Sequence, residues 1–596
     1  MSMKKNPIAE PQKVSVADVF RFAAEVLGPE KNYYVLALIY GVGISLLSLA
    51  TPISVQMLIN TVANTGLTLP LVVLSAALFG LLLASGLLNA LRIHLMEVFG
   101  RRFFARQMSD MAVRAIYAQN PFFTDDGRAP LFNRFFDIII IQKYLPLLLI
   151  GGFTVILQAA VGFLVVASYH PLFLAFISVV IAFIWFIWFA LGGSATKSAV
   201  ALSHKKHKAA AWLQGVGASN GFFKSDRHLV HALRGTNDAA AEYIEQHRHY
   251  FRRHFAQTVL FLILYAVASA ALLGLGGWLV IQGQLSLGQL VAAELILSAA
   301  FFGVSQLGTY LNYFYEVLAA AEEISLFQGV DQEAYRGDDQ PVAEGPAALR
   351  FKAIRGDAQG RAGTVSLDFE IEAGAHLMAR AASHGVQRLF TDLIKRHEAP
   401  KSGLILFAGA DIMSSEVHVL RQRIIVIDRP TIIEATIREY LSMCCASGDA
   451  EAMVTAIEAV DLETAVSELP DGLDTKLSVT GWPLSTVETM RLKLAAAILS
   501  KPRMLVLNQL FDMLPENDLR RALDALSADT SVVYFSNRSD PVGFEDFLLF
   551  GRNEQVRLRS LAELQAACSG GGRKKVAPEE REVAEPAPVI ALKENR

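Results

Sequence analysis

The stretch GAHLMARAASHGVQRLFTDLIKRHEAPKSG, Gly374 to Gly403, has the outline of a phosphate-binding loop set between a strand and a helix. Such a loop follows G-x-x-x-x-G-K-[ST]. Its glycines let backbone N–H groups cradle phosphates, its lysine reaches the terminal phosphates, and its hydroxyl holds Mg²⁺. The frame here reads Ala381, Ala382, Ser383, His384, Gly385, Val386, Gln387, Arg388. Gln387 stands at the lysine position and Arg388 at the hydroxyl position. The spacing of the loop is kept, and its phosphate and metal contacts are not.

The loop sits late in a chain of 596 residues, long enough for two or more domains. A hydrophobic content of 53%, a charged content of 19% and a mean hydropathy of +0.36 point to a membrane protein. Net charge is −3 and carries no signal toward nucleic acid, which is not expected as a partner. Cys444, Cys445 and Cys568 show no ligand spacing and read as reduced thiols. No apolar run follows the first lysines, so no cleaved leader is expected.

A helix crossing a bilayer needs about 20 apolar residues. Six stretches meet that length, near 34–61, 69–92, 145–168, 171–193, 258–282 and 288–315. They come as close pairs, and the two long connections between pairs are helical in pattern and basic. One carries Arg101, Arg102, Arg106 and Arg114; the other carries Lys197, Lys205, Lys206, Lys208, Lys224, Arg252 and Arg253. The short loops lack Lys and Arg, so positive-inside bias puts both termini and both long connections in the cytoplasm. The bilayer is thus the first partner. The segment 1–30 is expected to be a cytoplasmic N-terminal piece and 31–328 a transmembrane domain.

A polar, Gly- and Asp-rich linker is expected over 329–346. Short β-branched runs then alternate with helical segments: LRFKAI, TVSLDFEI, GLILFAG, RIIVID, MLVLN and SVVYF. That alternation predicts an α/β domain over 347–566. The Gly-, Pro- and charge-rich segment 567–596 is expected to be a disordered tail.

Six spans with two long helical excursions, followed by one α/β domain, resemble an ABC exporter half-transporter. Local matches lie in the family's order: NPFFTDDGRAPLFNRFFDI (120–138), EVLAAAEEI (316–324), PKSGLILFAGADI (400–412), ATIREYLS (435–442) and LPDGLDT (469–475). The resemblance implies a polytopic α-helical membrane domain followed by a P-loop-NTPase-like α/β domain. It also implies a homodimer or a heterodimer with another ABC half-transporter in a bacterial inner membrane. The match at 120–138 is most like branches related to peptide or protein secretion, which makes a periplasmic adaptor a candidate partner. Coupling contacts would run through Phe123–Arg134 and Gly215–Lys224.

On that frame the family's nucleotide contacts fall on altered residues. The adenine-stacking aromatic aligns with Ala358 and the Q-loop glutamine with Asp428. The signature LSGGQ aligns with Leu484, Ser485, Thr486, Val487 and Glu488. Asn508 and Gln509 replace the Walker B acids, Pro515 the D-loop Asp, and Asn537 the switch His. The degenerate positions are therefore Ala358, Ala381, Gly385, Val386, Gln387, Arg388, Asp428, Ser485, Glu488, Asn508, Gln509 and Asn537. The resulting expectation is a pseudo-ATPase module with no catalytic residue, no metal, and neither ATP nor Mg²⁺ as cofactor. Two alternatives stand beside it: a non-transporting scaffold or regulator of a secretion or envelope complex, and a genuine ATP-driven exporter subunit with divergent motifs.

Glu294, in LVAAELILSAAFFGV, is a carboxylate inside a span and a transport candidate. His204 and His207, and His228 and His231, recur at a spacing of three. Zinc would need further ligands, so they are expected to decorate a basic cytoplasmic helix.

Overall fold

Hydrocarbon offers no hydrogen-bond partners, so a crossing segment has to satisfy its own backbone, and a continuous helix does so. The computed structural model describes residues 16–59, 68–119, 123, 128–333, 347–357, 363–445 and 449–570. These fall into two units, Met1–Glu333 and Ala334–Arg596. Six helical stretches of the first unit are long and apolar enough to cross a membrane.

After α1 (Val16–Leu27), the first stretch is α2 (Lys31–Leu47) and α3 (Ala50–Met57). The break at Ser48 and Leu49 places Pro52 in the first turn of α3, where its missing N–H costs nothing. Then come α4 (Thr68–Ile116), α5 (Phe135–Leu147), α6 (Phe153–Ala167), α7 (Pro171–Ala218), α8 (Asp226–Ile281) and α9 (Leu287–Gln328). With 49 residues, α4 is about 74 Å long at ~1.5 Å per residue, against a hydrocarbon layer of about 30 Å. The basic connections are thus continuations of the crossing helices.

A π-helical turn at Leu148–Gly152 joins α5 to α6. A Cβ on Gly151 would lie 2.6 Å from the Tyr310 hydroxyl, so glycine is what lets α9 approach there.

The second unit opens with β1 (Leu349–Asp357) and β2 (Thr364–Ile371), then β3 (His376–Ala381) and α10 (His384–Ile394). Next are β4 (Ser402–Phe407), β5 (Ala410–Asp411), α11 (Val417–Arg423) and β6 (Ile424–Ile427). The helices α12 (Ile437–Cys444), α13 (Ala450–Ala459), α14 (Glu463–Ser467) and α15 (Thr486–Ser500) follow. The unit finishes with β7 (Met504–Leu507), α16 (Glu516–Asp524), β8 (Ser531–Phe535), β9 (Asp546–Phe550), β10 (Gln555–Leu558) and α17 (Leu561–Gly570).

One sheet has the order β2-β1-β4-β5; the other has the order β10-β9-β3-β8-β7-β6. In the second sheet β9, β3, β8, β7 and β6 run parallel, and every residue of β7 and β8 is buried. Strands covered on both faces read as unbroken apolar runs, which is why MLVL and SVVYF do not alternate. β1 lies inside the antiparallel sheet, between β2 and β4, and alternates buried with exposed along much of its length.

Each apolar run picked out in the sequence lies on a strand; β3 and β9 complete the parallel part of the second sheet, and β10 adds an antiparallel edge. The residues 334–346 of the expected linker and 571–596 of the expected tail lie outside the described residues.

Phe390 of α10 holds the two sheets of this unit together. It is fully buried, with its ring centroid 5.7 Å from Phe351, 5.8 Å from Phe535 and 5.2 Å from Phe550. Phe390→Ala is expected to destabilise the second unit by about 3–5 kcal/mol, read as a shift of its denaturant midpoint in the full-length protein. A shift below about 1 kcal/mol would contradict this packing role.

Candidate functional site

β3 delivers the chain between β8 and β9 to the start of α10, and the sequence-predicted loop is that turn. Ser383 is the N-cap in extended backbone, and helix begins at His384. The Val386 and Gln387 N–H groups donate to the Ser383 carbonyl at 3.1 and 3.3 Å, and the Ala382 N–H donates to the Phe550 carbonyl at 2.8 Å. Three amides of the loop are therefore engaged within the protein. Gly385, Val386 and Gln387 are buried in the first turn of α10.

Gln387 meets Gln509 from the end of β7. Gln387 Nε2 donates to Gln509 Oε1 at 3.2 Å, and Gln509 Nε2 donates back to Gln387 Oε1 at 3.0 Å. The residue after β7, Asn508, donates from Nδ2 to the Asp428 carbonyl at 2.8 Å and accepts from the Leu510 N–H at 3.1 Å. Gln387, Gln509, Asn508 and Asp428 are thus brought together across the ends of neighbouring strands. Arg388 faces Asp392 one turn on, with Nε 3.5 Å from Oδ2.

At the start of α15, the Ser485 hydroxyl accepts from the Glu488 N–H at 3.3 Å, and Glu488 Oε2 accepts from the Ser485 N–H at 2.7 Å. Glu488 aligns with the last residue of the family signature. Here it is one half of a capping box, with its carboxylate at the positive end of the helix. Asn537 is positioned through its backbone, whose N–H donates to Asp512 Oδ2 at 2.9 Å; Asp512 Oδ1 also accepts from the Ser536 hydroxyl at 2.7 Å. Arg380 of β3 secures the same segment from Nε to the Ser536 carbonyl at 3.2 Å and from Nη2 to the Arg538 carbonyl at 3.1 Å. Asp512 and Arg380 were not singled out from the sequence, because their partners lie on distant strands. Ala358 lies outside the described residues, and Ala381 closes β3.

The C-terminal end of α10 carries shifted groups. Burial pushes the Asp392 carboxyl up to about 6, against the opposing pull of Arg388. Burial, with Arg421 beside it, holds the Lys395 ammonium down at about 8, while its Nζ donates to the carbonyls of Arg421 and Ile424. Burial holds the His397 imidazole down at about 3, with Arg421, Lys395 and Arg388 adding positive charge. Arg421 Nη2 lies 3.2 Å from His397 Nδ1, so that nitrogen accepts and the ring is neutral.

In the first unit, Glu294 lies in α9, and the Ser298 hydroxyl donates to its Oε1 at 2.7 Å. Its Oε2 is buried without a hydrogen-bond partner. His204 and His207 do not decorate a surface. His207 is buried, with Nε2 2.6 Å from Asp137 Oδ2, and His204 lies between Glu322 and Glu323.

No protein-family profile matches the chain. It is 26% identical over 338 residues to a Bacillus subtilis protein named an uncharacterized ABC transporter ATP-binding protein, covering 54% of this chain and 56% of that one. It is 24% identical over 527 residues to an ABC multidrug transporter of Aspergillus fumigatus, covering 84% of this chain and 64% of that one. A leukotoxin translocation ATP-binding protein of Mannheimia glucosida is 24% identical over 284 residues, with 46% and 40% covered. The chain thus spans between two fifths and two thirds of the length of these curated relatives. Among solved structures, a bacterial Atm1-family ABC exporter with ATP bound superposes with a TM-score of 0.77 at 18% identity, covering 93% of this chain and 100% of that one.

The fold is that of a membrane transporter with a nucleotide-binding-type domain. The chain has the fold of an ABC exporter half, six apolar helices followed by an α/β sheet domain, and is similar in sequence to ABC transporters. The expectation of no cofactor is corrected by these same findings. Two of the relatives are named as ATP-binding proteins, and the solved exporter holds ATP.

An unfolded histidine takes its proton near pH 6.5, whereas folded His397 does so only near 3. The stability its neutral ring contributes is complete above pH 6.5 and is lost as pH falls toward 3. His397→Gln is therefore expected to flatten the decline of the melting midpoint between pH 6.5 and about 4. Parallel declines in variant and parent would contradict this assignment.

Proposed function

We propose that the chain is one half of a dimeric, ATP-linked ABC exporter in a bacterial inner membrane, with its termini and basic helical extensions on the cytoplasmic side. The observation that carries the reading is continuity. The identity to a named transporter runs through both units, across 84% of this chain, and the exporter fold covers 93% of it. Orientation is supported by the Lys and Arg on the long connections and their lack in the short loops. A dimer is supported by the six-helix count, which is one bundle of the two that an exporter path needs.

ATP as the ligand is supported by the relatives' names. The side chains of this chain do not match a Mg²⁺-triphosphate in the conformation described. Gln387 and Gln509 are neutral and bonded to each other, Asn508 is turned to the backbone of Asp428, and Ser485 is committed to its own helix cap. No hydrolytic step is assigned to them. Nucleotide would have to meet the loop with the amide pair parted.

The pair is weak enough to part. Two neutral hydrogen bonds contribute about 1–3 kcal/mol net, whereas a millimolar ligand supplies about 4 kcal/mol. Full-length protein in nanodiscs is expected to show Mg²⁺-dependent binding of a fluorescent ATP analogue that ATP competes. Gln387→Lys combined with Asn508→Asp is expected to tighten it by about tenfold or more, because both charges are restored. Failure of ATP to compete any signal at about 10 mM, in parent and variant alike, would overturn ATP linkage.

Glu294 is the residue we assign to cargo or proton contact, on the strength of its unpartnered buried oxygen. Glu294→Gln keeps its size and its bond to Ser298. It is expected to fail to complement a deletion strain at normal membrane abundance, and full complementation would remove it from the transport path.

A further inference from the structure

Four carboxylates are buried among the described residues of the first unit: Glu30, Asp137, Glu322 and Glu323. Two of them are matched by donors. Glu30 lies 3.0 Å from Arg106 and 3.4 Å from Arg102, one on each oxygen. Asp137 receives Lys206 at 2.9 Å on Oδ1 and His207 at 2.6 Å on Oδ2.

Glu322 and Glu323 are different. They are neighbours on α9, 1% and 0% exposed, and both turn onto the imidazole of His204 on α7. Glu322 Oε2 is 3.4 Å from His204 Nε2, and Glu323 Oε1 is 3.4 Å from His204 Nδ1. Neither contact is a formed hydrogen bond: Glu322 Oε2, Glu323 Oε1 and His204 Nε2 are all buried without a hydrogen-bond partner. One ligand atom from each of the three residues can be taken such that all lie within 4.8 Å of one another.

We propose that His204, Glu322 and Glu323 form a binding site for a divalent transition cation of the zinc type, at the membrane-distal part of α7 and α9. Charge is the first reason. Two buried carboxylates face one arginine, Arg134, whose Nε sits 3.0 Å from Glu323 Oε2. With a neutral imidazole the cluster keeps an uncompensated negative charge, which is costly when buried. A dication places positive charge directly against both carboxylates and takes the cluster from one net negative to one net positive charge.

Geometry is the second reason. Zinc binds histidine nitrogen and carboxylate oxygen at about 2.0–2.2 Å, which places tetrahedral ligands about 3.4 Å apart. The Glu322 Oε2–His204 Nε2 separation has that value. Imidazole and carboxylate are ligands suited to such an ion, and three protein ligands leave one position for water. Arg134 holds the far oxygen of Glu323 and so fixes the carboxylate from outside the ligand set. The competing account, an imidazolium between two carboxylates, needs N–H groups aimed at the oxygens.

The test uses the full-length protein, stripped with chelator and dialysed against ZnCl₂. One zinc per chain is expected by elemental analysis, with X-ray absorption showing nitrogen and oxygen ligands and no sulfur. His204→Asn and Glu322→Gln are each expected to weaken binding by about tenfold or more, and His207→Asn to leave it unchanged. Zinc is also expected to raise the melting midpoint of the unsubstituted protein by mass action, which needs no variant to fold. Substoichiometric zinc, sulfur ligation, an unmoved midpoint, or affinity unchanged in His204→Asn and Glu322→Gln would overturn the proposal.

Discussion

A strand buried on both faces can hand the chain to a helix only if the first N–H groups of that helix find acceptors. In this protein the acceptor is local. The Ser383 carbonyl takes the Val386 and Gln387 amides, and the turn after β3 closes on itself. A phosphate-binding loop leaves those donors pointing outward for an anion. The second unit therefore keeps the strand–turn–helix scaffold while satisfying it from within. Gln387 and Gln509 extend the same logic to side chains, pairing two neutral amides across the ends of α10 and β7.

What holds the two units folded is not what would hold a nucleotide. The apolar interior around Phe351, Phe390, Phe535 and Phe550 is complete without any charged group at the loop. Replacement of charge by amide therefore leaves the fold intact, as the close superposition on an exporter shows. In the first unit the buried charges matter more. Glu30 is matched by Arg102 and Arg106, and Asp137 by Lys206 and His207, which ties helices far apart in the chain. Breaking one partner of such a pair leaves an uncompensated charge in a poorly hydrated place.

The architecture was legible because its signals are local. Six apolar runs and the basic segments between them need no knowledge of tertiary contacts. Runs such as MLVL and SVVYF are strands because of what they exclude. The Ser485–Glu488 capping box is also written locally, as S-x-x-E, although alignment to a signature motif drew attention to its missing glycines instead. The pairing of Gln387 with Gln509 spans 122 positions, and that of Asp137 with His207 spans 70. No periodicity reports contacts of that range. His204 and His207 looked like surface decoration because basic neighbours surround them; burial by α9 and by Asp137 reverses that reading. Motif loss, in turn, argued against any cofactor, while relatives in sequence are named for binding ATP.

The central claim is that the loop of residues 381–388 is a closed form of a nucleotide site, held shut by the Gln387–Gln509 pair. Cryo-electron microscopy of the full-length protein in nanodiscs with saturating Mg²⁺-ATP tests it most directly. The account predicts triphosphate density against Ser383–Arg388 with the two glutamines separated. Density for an intact glutamine pair, with no nucleotide beside it, would contradict the account.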